Sequence, residues 1–164
     1  MSNLLIRYAL KEELDNIVSL VGEVCKDADI WTGYPPEEMK EEFSYCFFEY
    51  EEDEYHYNFM TPKCVVAEYN NEIIGMITFR QSYMSGSVFD LGWCMIRPRY
   101  QNSFLGVGYK LSKFVIGYIK SIRKNGIIQV AAIDSNLLTK MGFIDSGLSV
   151  NEWGVTLNIL HMKF

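Results

Sequence analysis

The residue types best suited to chemistry sit in one stretch. Between a strand-like run, Val88 to Ile96, and an amphipathic helical run, Val107 to Arg123, the chain reads Gln101-Asn102-Ser103-Phe104-Leu105-Gly106-Val107-Gly108. Two glycines at a helix entry let the backbone approach a ligand closely. The first helical turn also presents unpaired N–H groups at the positive end of its dipole. These residues form a candidate cradle for a pyrophosphate. Charge agrees with this: from Arg97 to Lys124 there are seven basic residues (Arg97, Arg99, Lys110, Lys113, Lys120, Arg123, Lys124) and no Asp or Glu, in a chain of net charge −6. A basic island in an acidic protein suits a polyanionic ligand. A solvated helix face beside an ordinary glycine turn would read the same way, because short glycine motifs are weakly specific.

The elements that must position this loop follow from periodicity. Val88 to Ile96 is apolar enough to be a strand buried on both faces, and Pro98 ends it. In the following helix Val107, Leu111, Phe114, Val115, Tyr118 and Ile122 share one face. Upstream, Leu4 to Tyr8 reads as a strand. A helix then starts within Ala9 to Glu13, with Leu14, Ile17, Val18, Val21 and Val24 as its apolar face and acidic residues in its first turn. Pro36 followed by Glu37 and Glu38 starts a second helix, expected to reach Tyr50 with Met39, Phe43, Cys46, Phe47 and Tyr50 inward. Cys64 to Tyr69 and Glu72 to Ser82 are two strands joined at Asn70-Asn71, a pair that tolerates positive φ and suits a tight hairpin. A turn at Met84 to Ser87 leads into the Val88 strand and completes an antiparallel meander. After the helix, Asn125-Gly126 is a stop signal. Ile127 to Ile133 is a strand, Leu137 to Met141 a short helix, and Phe143 to Ser149 and Gly154 to Met162 two closing strands. This order gives one α+β domain over residues 1–164 with a mixed, mostly antiparallel sheet.

Composition narrows the function classes. The 164 residues are 49% hydrophobic and 22% charged, as in a globular chain with a sizeable core. No apolar run would span a bilayer. The start, Met1-Ser2-Asn3-Leu4-Leu5-Ile6-Arg7, lacks a secretory pattern, so a cytoplasmic location is expected. A sequence pI near 5.0 argues against a nucleic-acid surface. Cys25, Cys46, Cys64 and Cys94 are scattered in apolar settings and read as reduced core thiols. His56 and His161 are the only histidines, and no spacing resembles a metal site. Glu37 to Glu54 holds nine acidic residues against one lysine. That is either a solvated segment or a wall for a cationic substrate, with neighbouring aromatics to hold an amine.

Four segments together resemble the GNAT family of N-acetyltransferases and cover nearly the whole chain. They are I-R-Y-A-L-K-E-E-L-D-N-I-V-S-L, V-V-A-E-Y-N-N-E-I-I-G-M-I-T-F, C-M-I-R-P-R-Y-Q-N-S-F-L-G-V-G-Y-K-L and L-L-T-K-M-G-F. The resemblance implies the GNAT fold, an α+β sheet split in a V and flanked by helices, with acetyl-CoA in the cleft. It implies that backbone groups of Cys94, Met95 and Ile96 hold the pantetheine arm and that amides from Gln101 to Gly108 bind the pyrophosphate. It also makes Asn136, after the fifth strand, a pantetheine contact. Two departures stand out. In the family pattern Q/R-x-x-G-x-G/A, Gly106 and Gly108 take the last two fixed positions, and Ser103 then stands where Gln or Arg is usual. Starting the pattern at Gln101 instead would put Phe104 on the first glycine. The first register keeps Val107, Leu111, Phe114 and Val115 on the inner helix face. Secondly, Leu138 occupies the place of the tyrosine that often serves as general acid.

The implied reaction is attack of a neutral primary amine, on a cationic small molecule or a protein, at the thioester carbonyl. Asp90 is the first candidate for the base, with Glu52, Glu54 and His56 behind it. Backbone N–H groups of the Val88 strand would stabilise the oxyanion. Tyr83, Tyr100 or Ser135 could replace the missing tyrosine. Trp93 reads as packing, Cys94 as an inert thiol, and His161 as a structural side chain at a sheet edge. The alternative is a GNAT-fold protein that has lost catalysis and serves as a binding or structural subunit. A homodimer or another assembly partner stays open on either reading.

Overall fold

A computed structural model describes residues 4–27, 35–47, 61–82, 85–151 and 154–164. The expectations for Glu52, Glu54 and His56 in the acidic segment, for Tyr83, and for the inward-facing Tyr50 lie outside the described residues.

Seven strands form one mixed sheet: β1 (Leu5–Tyr8), β2 (Lys63–Tyr69), β3 (Glu72–Gln81), β4 (Val88–Ile96), β5 (Ile127–Ala132), β6 (Ile144–Val150) and β7 (Thr156–Lys163). Their spatial order is β1-β2-β3-β4-β5-β7-β6. Every pairing is antiparallel except β4 with β5. The β2–β3 hairpin turns on Asn70 and Asn71 at φ 51° and 62°, which is why two asparagines stand there. β7 inserts between β5 and β6, so His161 lies on an inner strand, not at an edge.

Among the described residues, four α-helices flank the sheet: α1 (Leu14–Asp27), α2 (Pro36–Ser44), α3 (Val107–Ile122) and α4 (Asn136–Lys140). α1 and α2 cover one face, where Ile17, Leu20, Val21, Met39 and Phe43 pack on Cys64, Val66, Met76 and Met95. α3 covers the other, where Val107, Leu111, Val115 and Ile119 pack on Val65, Ile77, Phe89 and Leu91. Gly75 allows the second contact, because a Cβ there would meet Val107 Cγ1 at 2.9 Å and Leu111 Cδ1 at 3.3 Å. α2 is shorter than its periodicity suggests and passes into a 3-10 turn at Tyr45–Phe47. Val88–Ile96 has the expected bounds but is not buried on both faces, since Gly92 and Cys94 are exposed. Ile122 is exposed as well, and Ile116 and Ile119 take the inner positions at that end of α3.

Candidate active site

The site is built where β4 leaves β5. The two strands pair from Val88 with Ile127 to Leu91 with Val130 and then part, so beyond Leu91 the β5-facing edge of β4 has no ladder partner in β5. On its other side β4 stays with β3 through Cys94 with Ile77, Met95 with Met76 and Ile96 with Gly75. A bulge produces the change of direction: Gly92 and Trp93 stand opposite the single residue Thr78. Gly92 is required there, because a Cβ would overlap Thr78 Oγ1.

The loop from β4 to α3 sorts its amides into engaged and open groups. Gln101, Ser103 and Gly106 donate their backbone N–H to Pro98, Tyr100 and Ser103 carbonyls. The first helical bond runs from Lys110 N to Gly106 O at 3.0 Å. The amides of Phe104, Leu105, Val107, Gly108 and Tyr109 have no acceptor among the described residues. Gly106 caps α3 in the left-handed region, φ 59°, with no side-chain cap bond. A Cβ at Gly106 would meet nothing within 4 Å, whereas one at Gly108 would press on Ile96 Cδ1 at 3.0 Å and Leu137 Cδ2 at 3.2 Å. Gly106 is therefore set by backbone conformation and Gly108 by helix packing. Leu105 and Val107 bury their side chains in the core and can offer only backbone. Phe104 is 95% exposed, so it does not fill the cleft. The positive φ of Asn102, 54°, turns the chain into this loop.

Several expected polar groups are used locally. Gln101 Nε2 donates to Ile96 O at 2.9 Å, and Ser103 Oγ donates to Tyr100 O at 2.7 Å. Neither side chain is free to act as the Gln or Arg of the family pattern. The basic island is also less coherent than its sequence. Arg97 pairs with Glu23 and with Glu72, and Arg99 with Glu72. Lys120, Arg123 and Lys124 lie at the far end of a 16-residue helix, roughly 24 Å from its start at 1.5 Å per residue. Lys110 and Lys113 are the exposed lysines within two turns of Gly106.

On the α1/α2 side of the sheet a polar row crosses the strands just below the split. Arg80 Nε lies 3.5 Å from Asp90 Oδ2, and Gln129 Nε2 donates to Asp90 Oδ1 at 2.6 Å. Gln129 pairs in register with His161, whose Nδ1 is 2.6 Å from Ser146 Oγ. Asp90 thus sits one residue before the last β4–β5 pair. Gln129 and Ser146 were not legible as site residues, because only the parallel β4–β5 register and the insertion of β7 bring them to this row. Trp93 ties β4 to α2, donating Nε1 to Glu42 Oε1 at 2.7 Å and meeting Phe43 edge-on.

Cys94 corrects an expectation. It is not a core thiol but an exposed one on the α3 side of the split strand. The residue is exposed, yet desolvation by surrounding protein pushes the thiol up to about 11. It is protonated near neutral pH and a poor nucleophile. Asn136 begins α4 with an exposed side chain, and its N–H is taken by Asp134 Oδ1 at 2.8 Å. Leu138, at the usual tyrosine position, is buried in the core. Tyr100 cannot replace that tyrosine from where it lies, since it packs on Tyr69 and donates to Glu72 Oε2 at 3.3 Å.

Among the described residues, no cluster of His, Cys, Asp or Glu could hold a metal ion, and no helix is long and apolar enough to cross a membrane. No curated protein matches the chain in sequence. Solved structures share the fold. An N-acetyltransferase from Staphylococcus aureus Mu50 aligns at 17% identity with TM-score 0.70, covering 98% of each chain. A GNAT-family acetyltransferase from Streptococcus pneumoniae aligns at 20% identity with TM-score 0.70, covering 99% of each. The yncA structure from Salmonella typhimurium, solved with its cofactor acetyl-CoA, aligns at 17% identity with TM-score 0.69, covering 99% of this chain and 94% of that one. The acetyltransferase (GNAT) family model matches residues 29–143, well over half of the sequence, and the chain belongs to that family.

Proposed function

We propose that the chain is an N-acetyltransferase that moves an acetyl group from acetyl-CoA to a primary amine. The observation that carries the reading is the set of acceptor-free amides at the start of α3, placed beside the unpaired edge of β4. Both fit the group: the amides suit a pyrophosphate, and the strand edge suits an extended amide-bearing arm. Phe104, Leu105, Val107, Gly108 and Tyr109 would offer N–H groups, with Lys110 and Lys113 adding positive charge. Backbone groups of Cys94, Met95 and Ile96 would hold the pantetheine arm, and Asn136 would reach it from α4. Gln101, Asn102, Ser103 and Gly106 shape the loop.

The bound group supplies an acyl thioester, a carbonyl already activated toward amines. The chain's own residues then do three things. Asp90 takes a proton from the ammonium form of the acceptor, because only the neutral amine has a lone pair to attack with. β4 N–H groups at the split face the developing oxyanion. Gln129 and Arg80 orient the Asp90 carboxylate, so it needs no reorganisation when the amine arrives. An anionic base in an acidic protein favours a cationic acceptor, a small amine or a protein amino group. Leu138 provides no proton, and no side chain is assigned to the departing thiol.

The buried Leu138 and the locally engaged Gln101 and Ser103 favour a second reading, a GNAT-fold protein that binds without catalysing. Calorimetry with acetyl-CoA, followed by a thiol-release screen across amines, separates the two. Micromolar binding that Gly106→Trp abolishes, with thiol release for some amine, supports the enzyme. The same binding with no release for any amine class supports the binding protein. No binding at millimolar acetyl-CoA overturns the enzyme and leaves the fold a structural subunit.

A further inference from the structure

Phe104 stands apart from every other side chain of the loop before α3. It is 95% exposed, whereas Ser103 beside it bonds back to Tyr100 O and Leu105 is buried in the core. The aromatic residues that flank it in sequence are engaged. Tyr100 meets Tyr69 edge-on and has the Arg99 guanidinium 5.1 Å from its ring centroid. Tyr109 has Lys113 Nζ 5.6 Å from its ring centroid. Phe104 makes no ring or cation contact among the described residues. A phenylalanine left in water forgoes the burial that stabilises such side chains elsewhere in the fold. Held out beside a row of open amides, its ring offers a flat apolar face next to an anion cradle.

We propose that the Phe104 ring stacks on the adenine of acetyl-CoA and so selects the nucleotide end of the co-substrate. The contact rests on the acetyl-CoA reading above and adds a residue to it. The Phe104 N–H is one of the acceptor-free amides, so a pyrophosphate held there lies next to the atoms from which the Phe104 side chain springs. A pyrophosphate in acetyl-CoA has two substituents. The pantetheine arm runs to the edge of β4 at Cys94, Met95 and Ile96, and the adenosine leaves on the solvent side, where the Phe104 ring stands. Charge favours a nucleotide there over an apolar protein partner. Tyr109, Lys110 and Lys113 are exposed on the first two turns of α3, and no Asp or Glu lies between Arg97 and Lys124. The phosphate on the ribose of acetyl-CoA would meet those lysines, which an apolar partner would leave unused. Stacking needs only a π-face, so a single free ring is sufficient.

The test is calorimetry on the full chain with two thioesters: acetyl-CoA, and S-acetyl-phosphopantetheine, which lacks the nucleoside. Phe104→Ala keeps the backbone N–H and removes the ring. It should weaken acetyl-CoA binding roughly tenfold and leave S-acetyl-phosphopantetheine binding unchanged. Circular dichroism and Tm should match the parent, because the position is exposed. Phe104→Tyr keeps the flat face and should bind acetyl-CoA as the parent does. Phe104→Leu keeps apolar bulk without a π-face and should lose most of what Phe104→Ala loses. Unchanged acetyl-CoA affinity in Phe104→Ala overturns the proposal. So does equal weakening of both thioesters, which would place the effect in the cradle, and so does a Phe104→Leu protein that matches the parent. In each of these cases the parent still binds acetyl-CoA and the reading beneath the proposal stands. A parent that binds neither thioester overturns the two together.

Discussion

The side-chain amide of Gln129 on β5 donates to Asp90 Oδ1 on β4 at 2.6 Å, one ladder position before the two parallel strands part. A carboxylate held at the apex of the split is thereby fixed by the strand across from it. This predicts a graded response. Asp90→Asn keeps the shape and removes the base, so kcat should fall on the order of 10²- to 10⁴-fold with acetyl-CoA affinity nearly unchanged. Gln129→Leu leaves the base but frees it to rotate, so its loss should be smaller. Steady-state kinetics on both variants checks this. Equal activity of Asp90→Asn and the parent would remove Asp90 from the mechanism.

The bulge that opens β4 depends on Gly92 and Thr78 together. A Cβ at Gly92 would overlap Thr78 Oγ1, but it would stand 3.6 Å from Thr78 Cβ, an ordinary contact. Gly92→Ala should therefore destabilise the protein by roughly 1–3 kcal/mol, as overpacking does. In a Thr78→Ala background the same change should cost much less. Urea unfolding of the two single variants and the double variant gives the coupling. Strict additivity would mean that the two residues do not clash.

These two relationships show what the sequence carries and what it leaves to tertiary contact. Local signals were clear: β4 has the expected bounds, Asn70-Asn71 makes the expected turn, and Gly106 opens α3. The seven-strand order was less accessible, because the return of β7 between β5 and β6 depends on which strands meet across long separations. His161 was placed at an edge for that reason. Gln129 carried no local mark, since an exposed glutamine on a strand is ordinary until its register places it beside a carboxylate. The apolar run Val88–Ile96 suggested burial on both faces. The split in the sheet, a feature of the whole fold, is what exposes Cys94.

Cys94 offers a probe of the cleft. Its thiol is pushed up to about 11 by surrounding protein, so at pH 8 only a small thiolate fraction reacts. Alkylation by iodoacetamide should be slow there and rise about tenfold per pH unit toward 10. Cys46 is pushed up to about 12, and Cys25 and Cys64 are buried, so Cys94 should be modified first. Acetyl-CoA should protect it if the pantetheine arm lies along β4. Peptide mapping of a time course reads both effects. Modification of Cys94 unaffected by saturating acetyl-CoA would move the arm away from this strand.

The Arg7–Glu13–Glu68 group ties β1 to β2 and to the 3-10 turn at Lys11–Glu13 that leads into α1, with Arg7 Nη2 at 2.6 Å from Glu13 Oε1 and 2.7 Å from Glu68 Oε2. Hydrogen bonding to the Arg7 guanidinium, chiefly, holds the Glu13 carboxyl below its ordinary 4.5, with the Leu10 N–H assisting. A carboxyl whose folded value lies below its unfolded value binds fewer protons when folded. Its stabilising effect is therefore complete above the ordinary value and fades as pH falls through the folded one. The Tm gap between the parent and Glu13→Gln should be largest near pH 7 and should narrow from about pH 4.5 downward. Differential scanning calorimetry from pH 7 to pH 3 measures it. A gap that stays constant over that range would show that Glu13 acts through packing and not through its charge.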